Sequence, residues 1–89
     1  MSRSTFDDLA VEFQIGLFET AVKLGRDDLA LLADLAELYT RAGEYQKGLD
    51  LDNLLVDREP AKPIFRYNLA CSLSLLGHVD AAFEALSHL

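Results

Sequence analysis

Hydrophobic residues recur along this chain at spacings of three and four, the period of an α-helix, rather than in the alternation typical of strands. The pattern predicts five helices, at residues 6–24, 28–42, 45–58, 62–76 and 79–88, with the fifth continuing towards Leu89. Left-handed glycines at Gly25, Gly43 and Gly77 are expected to end the first, second and fourth helices. Pro60 is expected to stop the third. Because the connections are short, consecutive helices should lie antiparallel in an all-α fold without a sheet.

The first predicted helix differs from the others in having two hydrophobic stripes. The Thr5 hydroxyl is placed to cap its N-terminus, with the Asp8 carboxylate three residues later. One stripe is Phe6, Leu9, Ala10, Phe13, Leu17, Ala21 and Leu24, and the other is Val11, Ile15, Phe18 and Val22. A helix with one neighbour needs one stripe, so this helix is expected to pack between two neighbours. Asp27 and Asp28 favour the start of the second helix through their negative charge.

The chain repeats with a period of 34 residues. Gly43 and Gly77 each end the first helix of a pair, and the same shift superposes residues of similar size. The matched positions are Leu35 with Leu69, Ala36 with Ala70, Tyr39 with Leu73, Tyr45 with Val79, and Gly48 with Ala82. The small residues would let the two helices of a pair approach closely. Such a period indicates an antiparallel helix–turn–helix repeat solenoid.

These residues resemble the tetratricopeptide repeat (TPR) family. In a single domain spanning 1–89, residues 29–62 resemble one complete repeat, 63–89 a second that ends within its second helix, and 6–25 the second helix of an upstream repeat. The positions that carry the resemblance are Leu32, Leu35, Ala36, Tyr39, Gly43, Tyr45 and Pro60. Three positions depart from the family: Gly48 replaces an alanine, Asp52 an aromatic residue, and Arg66 a tryptophan. Asp52 and Arg66 are expected to weaken the apolar packing around Pro63.

Charge and composition narrow the partners. With 15 acidic and 8 basic residues among 89, the net charge is −7, which disfavours nucleic acid and anionic membrane surfaces. No apolar run reaches the roughly 18 residues of a membrane span. The single cysteine, Cys71, excludes an internal disulfide. Because residues 1–4 lack the apolar core of a signal peptide, a cytoplasmic location is expected.

Candidate catalytic and metal-binding residues are sparse. His78 and His88 have no second ligand at a metal-binding spacing, and no cofactor motif occurs. Cys71 is interpreted as a small buried hydrophobe. The acids Asp50, Asp52 and Asp57 lack a calcium-loop glycine and are interpreted as a solvated helix face. We therefore expect no enzymatic activity, no metal and no cofactor.

A protein-binding function is the main expectation. The TPR resemblance implies that the first helices of successive pairs line a concave groove that takes a peptide or a helix of a partner protein. The predicted partner-binding residues are Asp34, Glu37, Arg41, Ile64, Tyr67, Asn68, Cys71 and Leu75. Asn68 matches an asparagine frequent in the family, where it hydrogen-bonds the ligand backbone. Asp34 and Glu37 would repel a carboxylate, so neutral or basic segments are expected to bind best.

Self-association is the alternative function. Phe83, Leu86 and Leu89 form a predicted hydrophobic stripe where a further repeat would dock, and the first helix has its own second stripe. A solenoid buries its core only against neighbouring repeats. Two alternatives follow from the sequence: the chain is part of a larger scaffold protein, or the stripes pair with another copy as a homodimer.

Overall fold

The computed structural model describes residues 3–88, with side chains from Phe6 onwards. These residues form five helices: α1 (Arg3–Lys23), α2 (Leu29–Arg41), α3 (Tyr45–Arg58), α4 (Pro63–Leu75) and α5 (Val79–Leu86). No strand occurs in this part of the chain. The all-α prediction is therefore confirmed, and most helix ends lie within one or two residues of their predicted positions.

Two helix ends differ from their predicted positions in ways that change the role of a residue. Helix α1 begins at Arg3, so Thr5 lies inside the helix and not at its N-cap. No glycine or proline between Arg3 and Thr5 interrupts a helix there. Helix α5 ends at Leu86, because Ser87 competes for the last carbonyl groups: its Oγ donates a 2.7 Å hydrogen bond to the Glu84 carbonyl. Leu89 lies outside the described residues.

The turns after α2 and α4 have the same geometry. Gly43 and Gly77 adopt φ values of 81° and 84°, a left-handed conformation that side chains disfavour. After α2, the Glu44 N–H donates to the Tyr39 carbonyl at 2.8 Å, and the His78 N–H donates to the Leu73 carbonyl at 2.8 Å after α4. These bonds satisfy carbonyl groups at the helix ends. The predicted role of both glycines is confirmed, and their turns match across the 34-residue period.

The helices pack in chain order. α2 packs on α3, α3 on α4 and α4 on α5, whereas α1 packs less extensively on α2. The Cα atoms span 41 × 32 × 16 Å. The arrangement is therefore flat, and each helix mainly contacts its neighbours in the sequence.

The core comprises two clusters that meet at Val56 of α3. One contains Leu49, Leu69, Ala70, Ala82 and Ala85, and the other Leu32, Leu55 and Phe65. The small residues lie where helices approach closely. A Cβ atom added to Gly48 would lie 3.0 Å from Thr40 Oγ1 and 3.4 Å from the Ala36 carbonyl oxygen. Ala36 and Ala70 are both buried. Residue volume at these positions therefore limits how closely α2 and α3, or α4 and α5, can pack.

Only one of the two stripes of α1 is covered. Val11 is buried, and Ile15, Phe18 and Val22 are half-buried. The residues exposed over more than half of their surface are Phe6, Leu9, Phe13, Leu17 and Leu24. Among the described residues, α2 is the only helix that α1 contacts extensively, so the predicted second neighbour of α1 stays a prediction. A long apolar face of α1 is left open.

A partly buried polar contact joins α1 to α2. The Tyr39 hydroxyl donates a 2.5 Å hydrogen bond to Glu19 Oε2. Burial, reinforced by this bond, raises the pKa of the Tyr39 phenol well above its ordinary value. The phenol therefore stays protonated and remains a donor to the Glu19 carboxylate throughout the physiological pH range.

Candidate binding site

An open cavity lies between α2 and α4, with α3 beneath it. We call it the inner cavity; its volume is about 130 Å³. Its lining residues are Ala33, Ala36, Glu37, Thr40, Asp52, Asn68, Cys71 and Ser72. Helical spacing explains this set, because the α2 and α4 residues recur every three or four positions on one face. The small side chains of Ala33 and Ala36 leave the space that the cavity occupies.

Asp52 forms the floor of the inner cavity. Its residue surface is only 4% exposed, so the prediction that it lies on a solvated face is wrong. The Ser72 hydroxyl donates a 2.5 Å hydrogen bond to Asp52 Oδ2. Burial raises the pKa of the Asp52 carboxyl, and the hydrogen bond from Ser72 opposes that rise. Asp52 is buried because α4 covers this side of α3 and supplies a polar partner.

The hydroxyl protons around the cavity are already used within the fold. Ser72 donates to Asp52, and Thr40 Oγ1 donates to the Ala36 carbonyl at 3.2 Å. Asp52 Oδ1 accepts no hydrogen bond from a described residue. Every fully buried side-chain oxygen in the described part of the chain has a hydrogen-bond partner. Because Oδ1 has none, it is not fully buried and is open to the cavity. Its surroundings therefore offer mainly hydrogen-bond acceptors.

A second, larger concavity lies between α4 and α5. We call it the end groove; its volume is about 440 Å³. It is mostly apolar and is lined by Tyr67, Ala70, Cys71, Ser74, Leu75, Val79, Ala82, Phe83 and Leu86. Phe83 is 67% exposed and Leu86 37% exposed. The predicted stripe on α5 is thus open at both of the positions that the structure describes.

The predicted partner-binding residues divide between these two surfaces. Glu37 and Asn68 line the inner cavity, and Tyr67 and Leu75 line the end groove. Cys71 lines both, and it is exposed, so its interpretation as a buried hydrophobe is wrong. It faces outwards because the neighbouring positions Ala70 and Ser72 are the ones that turn towards the core. Three further predicted residues, Asp34, Arg41 and Ile64, are exposed and line neither surface.

The sequence-based prediction missed Asp52, Thr40 and Ser72 as residues of the cavity. A signal for two of them existed in the 34-residue period. The residues equivalent to Asp52 are Phe18 and Leu86, and the residue equivalent to Ser72 is Leu38. Two polar residues at otherwise apolar positions, on helices expected to pack together, are typical of a buried hydrogen-bonded pair.

Arg66 lies beside the entrance to α4. Its Nε donates a 3.3 Å hydrogen bond to the Pro60 carbonyl, and Phe65 next to it is buried. Arg66 therefore supports the turn between α3 and α4 through a polar contact at the position where the resemblance implies an apolar one. Pro63 is the first residue of α4, where its missing N–H costs no helical hydrogen bond.

Other kinds of site receive no support from the described residues. In this part of the chain, no three His, Cys, Asp or Glu side chains come together as a metal site would require. Nor is any described helix both long and apolar enough to cross a membrane. His78 and His88 are exposed and line neither the inner cavity nor the end groove.

No known protein-family model matches this chain, and no curated protein is significantly similar to it.

Proposed function

We propose that this chain is a protein-interaction module that binds a peptide segment of a partner protein across α2 and α4. The observation that carries the proposal is the inner cavity with its open polar rim. Neither Glu37 nor Asn68 forms a side-chain hydrogen bond with another described residue. An extended peptide needs donors and acceptors for its backbone, and an amide such as Asn68 offers both. The 34-residue period and its TPR resemblance support the same function.

The charge of this surface favours neutral or basic partners. Asp34 and Glu37 lie one turn apart on α2 and are both exposed. Together with the net charge of −7, they would repel acidic segments and free C-terminal carboxylates at short and long range. The proposal includes no catalytic role, no cofactor and no nucleic acid or membrane partner. A cytoplasmic location belongs to the proposal on sequence grounds alone.

A peptide array with graded charge tests this function. Short acetylated and amidated peptides should bind more tightly as their net charge rises from negative to positive. Asn68→Ala should weaken binding across the array, whereas the exposed Asn53→Ala on α3 serves as the matched control. Tighter binding to acidic peptides or to free C-terminal carboxylates would contradict the proposal, as would equal binding by both variants.

Self-association with a second copy of this chain is the second candidate function. The observation that favours it is that one molecule has two open apolar faces: the end groove, and the exposed stripe of α1 that includes Phe13 and Leu17. Burying a Leu or Phe side chain that is otherwise in water gains about 1.5–3 kcal/mol. Several such residues are enough to offset the entropic cost of joining two chains. Leu89, which completes the predicted stripe, lies outside the described residues.

Sedimentation equilibrium tests this second candidate. At micromolar concentration the chain should sediment as a dimer, and Leu86→Glu should shift it towards monomer. Ala81→Glu adds the same charge to an exposed position of α5 that does not line the end groove, so it should leave the dimer intact. A wild-type chain that is monomeric at every concentration rules this function out.

A further inference from the structure

The floor of the inner cavity combines features that select a ligand by charge. Asp52 is 96% buried by its surface, yet one of its carboxylate oxygens, Oδ1, is open to the cavity and accepts no hydrogen bond from a described residue. A carboxylate has acceptor capacity for about four hydrogen bonds, and the fold supplies only the one from Ser72. An exposed acid is satisfied by bulk water, but a buried one with spare acceptor capacity favours a ligand that donates hydrogen bonds.

No lysine or arginine side chain among the described residues forms an ion pair with this floor. The ion pairs among the described residues join Arg26 to Asp28, Lys47 to Glu44, and Arg58 to Asp27. None of them involves Asp52 or Glu37, the two acids that line the cavity. Because the hydroxyl protons of Thr40 and Ser72 are directed to partners within the fold, neither supplies a donor to a bound anion. Apart from the Asn68 amide and the Cys71 thiol, which can also donate, the polar side chains of the cavity offer acceptors, and its two charged residues are acids.

The volume of the inner cavity also bears on which group it can hold. The inner cavity, with a volume of about 130 Å³, has room for a small polar group at the end of a side chain. The ammonium group of lysine has three donors, and the guanidinium group of arginine has five. Each group is carried on a flexible apolar stem, which suits the small apolar side chains of Ala33 and Ala36 in the lining.

We propose that the inner cavity is a subsite for one lysine or arginine side chain of the bound peptide, with Asp52 Oδ1 and Glu37 as its acceptors. This inference rests on the proposed peptide-binding function and adds the residue that determines specificity. Asp52 accepts the cation at the floor, Glu37 contributes negative charge at the rim, and Ser72 holds the Asp52 carboxylate in place.

NMR titration of the isotope-labelled chain tests the subsite with four acetylated and amidated peptides, Gly-Ala-X-Ala-Gly. The residue X is lysine, arginine, or one of their uncharged analogues norleucine and citrulline. The lysine and arginine peptides should shift the amide signals of Asn68, Cys71 and Ser72 in a saturable manner. Their affinity should exceed that of the matching analogue by roughly tenfold or more, as expected for a desolvated charge pair.

Variants assign the effect to Asp52. Asp52→Asn should remove the preference for the charged peptides, whereas Asp57→Asn, the same change at an exposed position of α3, should keep it. The signal dispersion of the free Asp52→Asn protein reports whether it is folded. Glu37→Gln at the rim does not disturb the core and should reduce the preference in part.

The outcomes separate this inference from the proposed function. If all four peptides shift the same signals with equal affinity, the cation subsite is wrong and the peptide-binding face stands. If no peptide shifts them, both are overturned. A charge preference that survives Asp52→Asn and Glu37→Gln also overturns the subsite, because the selectivity then comes from another surface.

Discussion

The α1–α2 and α3–α4 interfaces occupy equivalent positions of the 34-residue period but differ in polarity. In the first, the equivalent positions hold Phe18, which is half-buried, and Leu38, which is buried. In the second they hold Asp52 and Ser72, which are both buried and hydrogen-bonded to each other. A polar pair fills less space than an aromatic and a leucine side chain. The inner cavity lies over this polar pair.

At the next positions in the sequence, the α1–α2 interface is the one with the polar contact. Beside Phe18 and Leu38, the α1–α2 interface has the hydrogen bond from Tyr39 to Glu19 at its edge. The equivalent residues of the α3–α4 interface are Asn53, which is exposed, and Leu73, which packs against the core. Each interface thus has one polar contact, but at a different depth. Hence the repeat does not fix the depth at which the polar contact between two helices lies.

The largest expected difference in stability is between variants of Leu38 and Ser72, which are both buried and occupy equivalent positions of the 34-residue period. Leu38→Ala should lower the free energy of unfolding by about 2–5 kcal/mol, because it opens a cavity in an apolar contact. Ser72→Ala should lower it by about 1–3 kcal/mol, since it leaves the buried Asp52 without its donor. Urea unfolding near neutral pH measures both. A larger cost for Ser72→Ala would show that the polar pair, and not apolar packing, dominates the stability of the stack.

Each of the two repeats should contain an alanine at which two helices approach closely. Ala36→Leu and Ala70→Leu should each destabilise the chain by about 1–3 kcal/mol, because both alanines are buried where helix backbones pass closely. These costs should exceed that of Leu75→Ala on the half-exposed rim of the end groove. Thermal melts measure the changes, with the exposed Ala81→Leu as the control. Unchanged midpoints for both core variants would contradict the 34-residue packing pattern.

Removal of the polar contact between α1 and α2 should have a moderate effect. Tyr39→Phe deletes the hydroxyl that donates to Glu19 and should cost about 1–2 kcal/mol. Tyr45→Phe removes a hydroxyl for which the structure shows no hydrogen bond to a described residue, so it is the matched control. Chemical denaturation should show the loss for Tyr39→Phe only. Equal effects of the two variants would mean that the Glu19 contact does not stabilise the docking of α1.

The smallest expected effect is on the pH dependence of the free energy of unfolding. Burial raises the pKa of Asp52 above its ordinary value near 3.8, so the folded chain binds this proton more tightly than the unfolded chain. The contribution of Asp52 to stability therefore falls as the pH rises from that ordinary value through the raised one. Asp52→Asn cannot ionise and keeps an acceptor for Ser72. Relative to wild type, it should gain stability between acidic and neutral pH.

Urea unfolding of both proteins at a series of pH values measures this gain. Glu37, the other acid of the inner cavity, is present in both proteins, so their difference isolates Asp52. Asp57→Asn at an exposed position serves as the control and should show no such trend. A stability difference that is constant across the series would contradict the raised pKa.

The sequence predicted the helices well because their signals are local. Gly43 and Gly77 end α2 and α4 through turns that only nearby residues form, and Asp28 caps α2 by accepting from the Leu31 N–H at 3.4 Å. The end of α5 was less predictable. It depends on the hydrogen bond from Ser87 to the Glu84 carbonyl, and a single serine hardly changes the hydrophobic pattern from which the helix was predicted. The TPR-like arrangement itself stays a prediction.

The binding site was predictable only in part. Helical periodicity placed Asn68 and Glu37 on faces that point to the same side, and both line the inner cavity. It could not reveal that Asp52 is buried, because burial there depends on α4, and the hydrogen-bond partner Ser72 lies 20 positions away in the sequence. Periodicity also could not divide the predicted residues between two concavities, which requires the actual spacing of α4 and α5.

The position of Cys71 makes it a natural attachment point for a spectroscopic reporter. It is the only thiol of the chain, it is exposed, and it lines both the inner cavity and the end groove. An environment-sensitive dye on its sulfur would sense the filling of either side without any other residue being changed. A peptide in the inner cavity and a second chain in the end groove would both contact Cys71. If one of them changes the affinity for the other, thermodynamic linkage requires the effect to be mutual. A single fluorophore could thus measure how peptide capture and chain pairing influence each other.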